Sequence, residues 1–516
     1  MAFNPPYKRL LAYAVLLIIP LVMTVLLLQV VFDVTITDYV PHHSDDMVYW
    51  HGIMSYKEVG FESGYYVYEE RPSAAAFSPF GTHGPAYFAF MGTLARILGW
   101  QPYSMLIFNQ VVVVAALIFY LYMVRPGWIQ ILLIGAVLLT YWPMLVYISM
   151  GMQESLHQAI AIVVAALFYY QFSQKEGVSW RYRVLVTALL MAFASLRLTW
   201  SLFLIPLLFF DVKPLSTRQM ILRGGIALGL IGTAFLMFSY WSAPYPYSAM
   251  SNWRFALAES GFGSSITVLI NNVRDNMSRI LYGIAPEVLI RVQVLGVILV
   301  WLLVMRNQKK IIVDGKTNTG DSADHEGWFH VYNLAIILLL QVLIYDIFPQ
   351  KDYRIFGMQL LVSIMLMIAF VRWRIVAVIV ATNILVVAGF RDIHVYMNNK
   401  NFGNQESAAV FATELEGHIR YEPGADPWCN TVLLRGYDAG LASLEAGIGF
   451  GVTFYPTVAE QMLDWPARSQ YMIWRDREFP AYEPYINVEP IAETSKGRLY
   501  LNLDADCEQA RAAAQQ

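Results

Sequence analysis

The residues of this chain that could do chemistry sit in short polar segments between long apolar ones. The first reads Ser44-Asp45-Asp46-Met47-Val48-Tyr49-Trp50. Two adjacent carboxylates held at a membrane surface can act as a general base and as a partner for a divalent metal ion or a hydrogen-bond donor. The plain alternative is a solvated acidic turn. The second segment, Ser78-Pro79-Phe80-Gly81-Thr82-His83-Gly84-Pro85-Ala86-Tyr87-Phe88, sets His83 in a Gly/Pro turn. An apolar helix, Phe88–Trp100, follows it and is long enough to lie on a membrane surface with Arg96 exposed. His83 is there either a working or a structural imidazole. The third segment, Met150-Gly151-Met152-Gln153-Glu154-Ser155, places Glu154 just ahead of a helix that carries His157. An acid in that position is either functional or a partner of the helix dipole. The fourth, Pro349-Gln350-Lys351-Asp352-Tyr353-Arg354, holds two cations. Lys351, Arg354 and Arg197 at a membrane boundary suit a phosphate headgroup, or else they only snorkel.

The elements that must position these groups are apolar. Of 516 residues 57% are hydrophobic and only 14% are charged, against roughly 25% charged in soluble domains. That excludes an ordinary soluble protein, a disordered chain and a disulfide scaffold, and it points to an integral membrane protein. Lys8 and Arg9 precede the uncharged 23-residue run Leu10–Phe32, enough to cross a hydrocarbon core of ~30 Å. No cleavage site follows it, so an uncleaved first helix with a cytoplasmic N-terminus is expected. Further runs are Ser104–Val124, Trp128–Ile148, Leu156–Phe172, Val184–Phe210, Ile226–Trp241, Val288–Met305, Trp328–Phe348, Ile355–Val371 and Ile375–Phe390.

Val184–Phe210 decides the topology. As one helix it would hold Arg197 at the bilayer centre, a cost of about 2.5–3.5 kcal/mol. It would also send Lys213, Arg218 and Arg223 outside. Two short helices meeting at Leu196-Arg197-Leu198-Thr199 avoid both. Then Lys8/Arg9, Arg125, Lys175/Arg181/Arg183, Lys213/Arg218/Arg223, Arg306/Lys309/Lys310 and Arg372/Arg374 all face the cytoplasm, as the positive-inside rule asks. The expected fold is therefore an all-α polytopic membrane bundle of about 11 transmembrane helices over residues 1–390, with a first outer loop at 33–103. Residues 391–516 are expected to form a small extracytoplasmic C-terminal domain of α/β or α+β type. Cys429 and Cys507 fall in that oxidising compartment, where a disulfide between them is compatible with the sequence.

In this order the motifs resemble those of the GT-C glycosyltransferases that use polyprenyl-phosphate-linked sugars. Asp45-Asp46-Met47-Val48-Tyr49 resembles their Asp-acidic-x-x-Tyr signature after the first helix, and Thr82-His83-Gly84-Pro85-Ala86-Tyr87 their His-Pro/Gly-Pro-x-Tyr element. Glu154 falls where many members carry an acid in the second outer loop. Leu196-Arg197-Leu198-Thr199 resembles their Thr-Arg-Pro-Thr turn, with Leu198 in place of Pro, and Tyr353-Arg354-Ile355 is similar to their Arg-Tyr-Leu-Leu-Pro region without the trailing Pro. The ordered set spans about residues 1–390.

The resemblance implies an inverting transfer of a sugar from a polyprenyl-phosphate-linked donor to a hydroxyl of a glycan, lipid or protein acceptor. Asp45 would be the base. Asp46 and Glu154 would orient the acceptor, or hold a divalent metal ion where one is present. Arg197, Lys351 and Arg354 would bind the lipid phosphate, and His83 and Tyr87 would shape the donor pocket. Membrane lipids would be its surroundings, nucleic acid would not be a partner, and the enzyme would sit in a bacterial inner membrane with its site facing outward. The main rival is a multi-pass transporter, which calls for ionisable residues at mid-bilayer and inverted repeats; here the ionisable residues gather at the outer boundary and no repeat is visible.

Overall fold

The computed structural model describes residues 6–31, 33–41, 44–62, 66–68, 83–174, 176–210, 215–242, 249–282, 320–340, 353–389, 405–421, 423–424, 431–435, 444–453, 469–474 and 487–505. Helix α1 covers Pro6–Val31, α2 Ser44–Val59 and α3 Pro85–Leu98. Helices α4 (Ser104–Val124), α5 (Trp128–Thr140), α6 (Trp142–Ile148) and α7 (Glu154–Ser173) follow. Next come α8 (Trp180–Leu196), a 3-10 segment Leu198–Phe203, α9 (Leu204–Phe209), α10 (Thr217–Trp241) and α11 (Ala249–Tyr282). The last are α12 (Gly320–Leu339), α13 (Tyr353–Ala369), α14 (Trp373–Gly389) and α15 (Gln405–Glu416).

Among the described residues four helices are long and apolar enough to cross a membrane, namely α1, α4, α7 and α10. The α5–α6 pair, bent by 58° ahead of Pro143, makes a fifth if it is one span. The proline lacks the N–H that would continue the ladder. Leu198–Phe209, Gly357–Ala369 and Trp373–Leu385 are shorter apolar helices. Val288–Met305 lies outside the described residues, as do Cys429 and Cys507. The described helices form an apolar, multi-helix bundle of membrane type.

Helix α7 is its centre, with 83% of its apolar window buried. Apolar contact alone does not drive helices together in lipid, so close packing and buried polar bonds must do it. Phe168 packs 4.8 Å from Phe329, which stacks at 6.0 Å on Phe203. Gln110 Nε2 donates to Thr24 Oγ1 at 2.7 Å and to the Ile148 carbonyl at 3.3 Å, tying α4 to α1 and α6.

The two ends of the bundle differ in charge. At one end cations serve carbonyls left over at helix termini. Arg9 donates to the Pro126 carbonyl at 2.6 Å, Arg183 to Leu207 at 2.7 Å and Arg223 to Leu208 at 2.7 Å. Arg372 joins them there, paired with Glu326 at 2.8 Å. Arg197 lies at the other end, at the break between α8 and the 3-10 segment. The arginine that one long helix would have carried to mid-bilayer thus breaks that helix instead.

The acidic pair does not lie in a solvated turn, contrary to the plain reading of its sequence. It opens the buried helix α2, whose dipole stabilises negative charge there by about 0.3–1 kcal/mol. Helix α3 crosses α2 closely, because Gly52 and Gly92 leave room for the rings of Phe88 and Tyr56 where a Cβ would stand.

The sheet is assembled from both ends of the chain. Its strands are β1 (Tyr66–Tyr68), β2 (Thr431–Arg435), β3 (Gly449–Thr453), β4 (Tyr471–Trp474), β5 (Val488–Thr494) and β6 (Gly497–Asn502). The order is β1-β3-β2-β4-β6-β5. The first three pairings are parallel, and β6 runs antiparallel to both its neighbours. The 33–103 segment therefore supplies an edge strand to the C-terminal sheet, with Tyr66 opposite Phe450. Helix α2 is fastened to the same sheet. His51 Nε2–H donates to the Ile448 carbonyl at 2.6 Å, and the Gly447 amide donates to Ser55 Oγ at 3.1 Å.

Candidate functional site

The site grows from two helix N-termini at the Arg197 end of the bundle. Asp45 and Asp46 begin α2, and Glu154 begins α7; they are 7%, 1% and 2% exposed. Adjacent residues on a helix look about 100° apart, so the two aspartates face different surroundings. Asp46 turns toward the loop ahead of α7. Tyr39 Oη donates to Asp46 Oδ2 and in turn accepts from the Gly151 amide at 2.9 Å. A Cβ at Gly151 would run into Asp46 Oδ1 and stand 3.3 Å from Met105 Cβ, so a side chain there would have to displace the Asp46 carboxylate. Burial, reinforced by the Asp46 carboxylate, raises the Tyr39 phenol well above its ordinary range and keeps it a donor.

Asp45 shares a helix face with Tyr49, one turn on. The Tyr49 ring lies 5.0 Å from His83 and 5.1 Å from Tyr87. Tyr87 is buried on the first turn of α3, and its hydroxyl reaches Met105 Sδ at 3.8 Å. Burial raises its pKa well above normal, and Glu154 and Asp46 both add to the shift, so Tyr87 lies within electrostatic reach of two of the carboxylates. His83 immediately precedes Gly84, which has a φ of +67° and whose place a Cβ would fill only 3.3 Å from Trp241 Cδ1. That left-handed turn, followed by Pro85 at the start of α3, aims His83 back at α7. Its Nδ1 stands 3.4 Å from Tyr49 Oη and 3.5 Å from Gln153 Nε2.

The loop before α7 is held by Asn109, whose amide donates to the Met150 and Met152 carbonyls at 3.0 and 3.1 Å. Arg197 reaches across to it: Nη2 pairs with Glu154 Oε1 at 3.2 Å and Nη1 lies 3.7 Å from Met358 Sδ. One turn into α7, His157 Nδ1 accepts from Trp200 Nε1–H at 3.1 Å. Thr199, next to that tryptophan, accepts from Gln359 Nε2 at 3.1 Å, which joins α13 to the turn.

Of the residues expected from sequence, Asp45, Asp46, His83, Tyr87, Glu154 and Arg197 are thus gathered around the N-termini of α2 and α7. Arg354 lies in the first turn of α13, with its side chain outside the described residues, and Lys351 is outside them altogether. Tyr39, Gly151, Gln153 and the His157–Trp200 pair also belong here, although nothing in their local sequence marks them. No group of three or more His, Cys, Asp or Glu side chains among the described residues is placed to hold a metal ion.

No family model matches the chain. The thiosulfate transporter TsuA of Escherichia coli (strain K12) is 35% identical over 91 residues, which is 16% of this chain and 26% of the transporter, so the chain spans about a quarter of that relative. Among solved structures, the chain is similar to ArnT from Cupriavidus metallidurans bound to undecaprenyl phosphate, a GT-C glycosyltransferase. That comparison covers 97% of this chain and 99% of the other at 10% identity and a TM-score of 0.40. Similarity at these levels, to a transporter over a short stretch and to a transferase over a long one, assigns neither activity to the chain.

Proposed function

We propose that this protein is an integral-membrane glycosyltransferase that moves a sugar from a polyprenyl-phosphate-linked donor to an acceptor hydroxyl, with inversion, on the outer face of a bacterial inner membrane. The observation that carries this reading is the convergence of carboxylates from the N-termini of α2 and α7, with Arg197 beside them, at one end of an apolar bundle. A donor with a prenyl tail needs that arrangement: the tail stays in lipid while its sugar enters a polar site at the boundary.

In this mechanism Asp45 accepts the proton of the acceptor hydroxyl as its oxygen bonds to the anomeric carbon. The bond from that carbon to the phosphate oxygen breaks, and its electron pair leaves with the lipid phosphate. Fixed positive charge aimed at a departing anion lowers such a barrier. Arg197 supplies it, held in place by Glu154, and Lys351 and Arg354 add to it. Asp46, locked by Tyr39, orients the acceptor, and His83 and Tyr87 wall the donor pocket. The acceptor belongs to a glycan, a lipid or a protein.

The test is transfer from purified polyprenyl-phosphate-linked sugars by Asp45→Asn, Asp46→Asn and Glu154→Gln, each checked for folding by thermal unfolding. Asp45→Asn keeps the shape but cannot take the proton, so its turnover should fall about 10²–10⁴-fold. Near-normal turnover in a folded Asp45→Asn protein removes Asp45 as the base. If none of the three substitutions matters, glycosyl transfer fails. The partial TsuA match favours a second reading, transport, and thiosulfate uptake by the same protein in sealed vesicles tests it directly.

A further inference from the structure

Two side chains at the start of α7 carry polar atoms that this mechanism leaves unused. Gln153 is 3% exposed and His157 is 1% exposed. Among the described residues, Gln153 Oε1 and His157 Nε2 are buried without a hydrogen-bond partner. They stand one helical turn apart, since the His157 amide donates to the Gln153 carbonyl at 3.1 Å. Residues so spaced share a helix face. That face looks into the site: the Gln153 amide lies 3.5 Å from His83 Nδ1, and Arg197 and His83 both act electrostatically on the His157 ring. Glu154, between them in sequence, holds Arg197.

Trp200 settles the character of the imidazole. An indole N–H can only donate, so His157 Nδ1 accepts and the ring proton stands on Nε2. The result is a buried acceptor, Gln153 Oε1, one helical turn from a buried donor, His157 Nε2–H. A buried donor or acceptor left unmade costs stability, so both call for a ligand group. A ligand that offers a donor and an acceptor on the same atom is a hydroxyl.

We propose that Gln153 and His157 form a hydroxyl-recognition subsite that reads one hydroxyl of the sugar ring entering the Glu154–Arg197 site, with His157 Nε2–H donating to it and Gln153 Oε1 accepting from it. The proposal rests on the glycosyl-transfer reading and names what positions the sugar. Trp200 acts one step back, as a positioning residue that fixes the imidazole tautomer.

The experiment uses the full chain in nanodiscs with polyprenyl phosphates carrying a hexose, a pentose and their monodeoxy counterparts. Wild type should favour the donor with the recognised hydroxyl over the matching deoxy donor by about tenfold or more in kcat/KM. His157→Phe and Gln153→Met should bring that ratio close to one, mainly through a higher KM for the hydroxylated donor. His157→Gln, which keeps an N–H near the Nε2 position, should retain part of the preference even if His157→Phe folds poorly. Trp200→Phe should weaken it and change the ring tautomer seen in the ¹⁵N spectrum of His157. A wild type that discriminates no hydroxyl, or folded His157→Gln and Gln153→Met proteins with unaltered discrimination, overturns the subsite while the transferase stands. A wild type that turns over none of the donors overturns the transferase reading and the subsite with it.

Discussion

Removing the two members of the Glu154–Arg197 pair should not cost the same. The charged atoms lie 3.2 Å apart, where an effective dielectric constant of about 20 gives an attraction of about 5 kcal/mol. Desolvation offsets much of that, so the intact pair adds little net stability. What matters is the charge left behind. The Glu154 side chain is 2% exposed, whereas that of Arg197 is 16% exposed and closer to water. Arg197→Gln leaves the carboxylate stranded and should cost about 3–5 kcal/mol. Glu154→Gln leaves a cation that retains some hydration and should cost less, about 1–3 kcal/mol. The double variant replaces an ion pair with two neutral amides, so it should fall short of the sum by about 1–3 kcal/mol. Denaturant titration in mild detergent measures all three, and donor turnover is followed in parallel. The double variant should regain stability without regaining turnover, because the cation proposed to bind the lipid phosphate is still missing. Equal costs for the two single variants, or strict additivity, would refute the asymmetric burial argument. Recovery of turnover in the double variant would show that Arg197 holds Glu154 and does nothing more.

Three further outcomes are expected. Tyr39→Phe removes the hydroxyl that bridges Asp46 and the Gly151 amide, and should cost about 1–3 kcal/mol in the same titration; an unchanged midpoint means the bridge adds nothing. Burial holds the His51 imidazole, which donates to the Ile448 carbonyl, down to about 4 against an ordinary 6.5. The unfolded chain therefore binds the extra proton between those values, so the stability that neutral, buried His51 brings to the fold is fully present above pH 6.5 and is lost as the pH falls toward 4, by about 3 kcal/mol in all. Hydrogen exchange in β3 should rise over that window in wild type and not in His51→Gln; a pH-independent wild type contradicts it. For topology, a cysteine at Thr317 should resist an impermeant reagent in intact cells while one at Glu493 reacts, and the reverse pattern inverts the bundle.

Part of this architecture was legible because charge in an apolar run leaves a strong local trace. Arg197 inside Val184–Phe210, with the Lys213–Arg223 cluster after it, is compatible with a break and little else, and the break is there. The apolar run Ser104–Val124 coincides with α4. The setting of the acidic pair was not legible. Helix α2 mixes Asp, Lys, His and Gly with aromatics because it is covered on several sides, by α3, the loop ahead of α7 and the sheet, so it shows no single apolar stripe. The Tyr39–Asp46 contact and the Trp200–His157 bond, which spans 43 residues, depend on the tertiary arrangement, and no spacing rule reaches them. The resemblance brought Asp45, His83, Glu154 and Arg197 to notice as an ordered set; only the folded chain distinguishes the face of Asp45 from that of Asp46.

The fastening of α2 to the C-terminal sheet has a consequence in time. His51 and Ile448 are 397 residues apart, and at about 5–20 residues per second a ribosome needs roughly 20–80 s to travel from one to the other. Through most of that interval the nascent chain already carries its first carboxylates but lacks β2 and β3, the strands that join the sheet beside β1. The helix carrying Asp45 is anchored only after nearly all the membrane helices have been made. Assembly thus runs like a lock whose last pin is cut at the end: a chain stopped before Gly447 has its acidic pair but not the strand that steadies it. Ribosome-stalled chains ending on either side of residues 447–453 should differ sharply in protease resistance around Ser55.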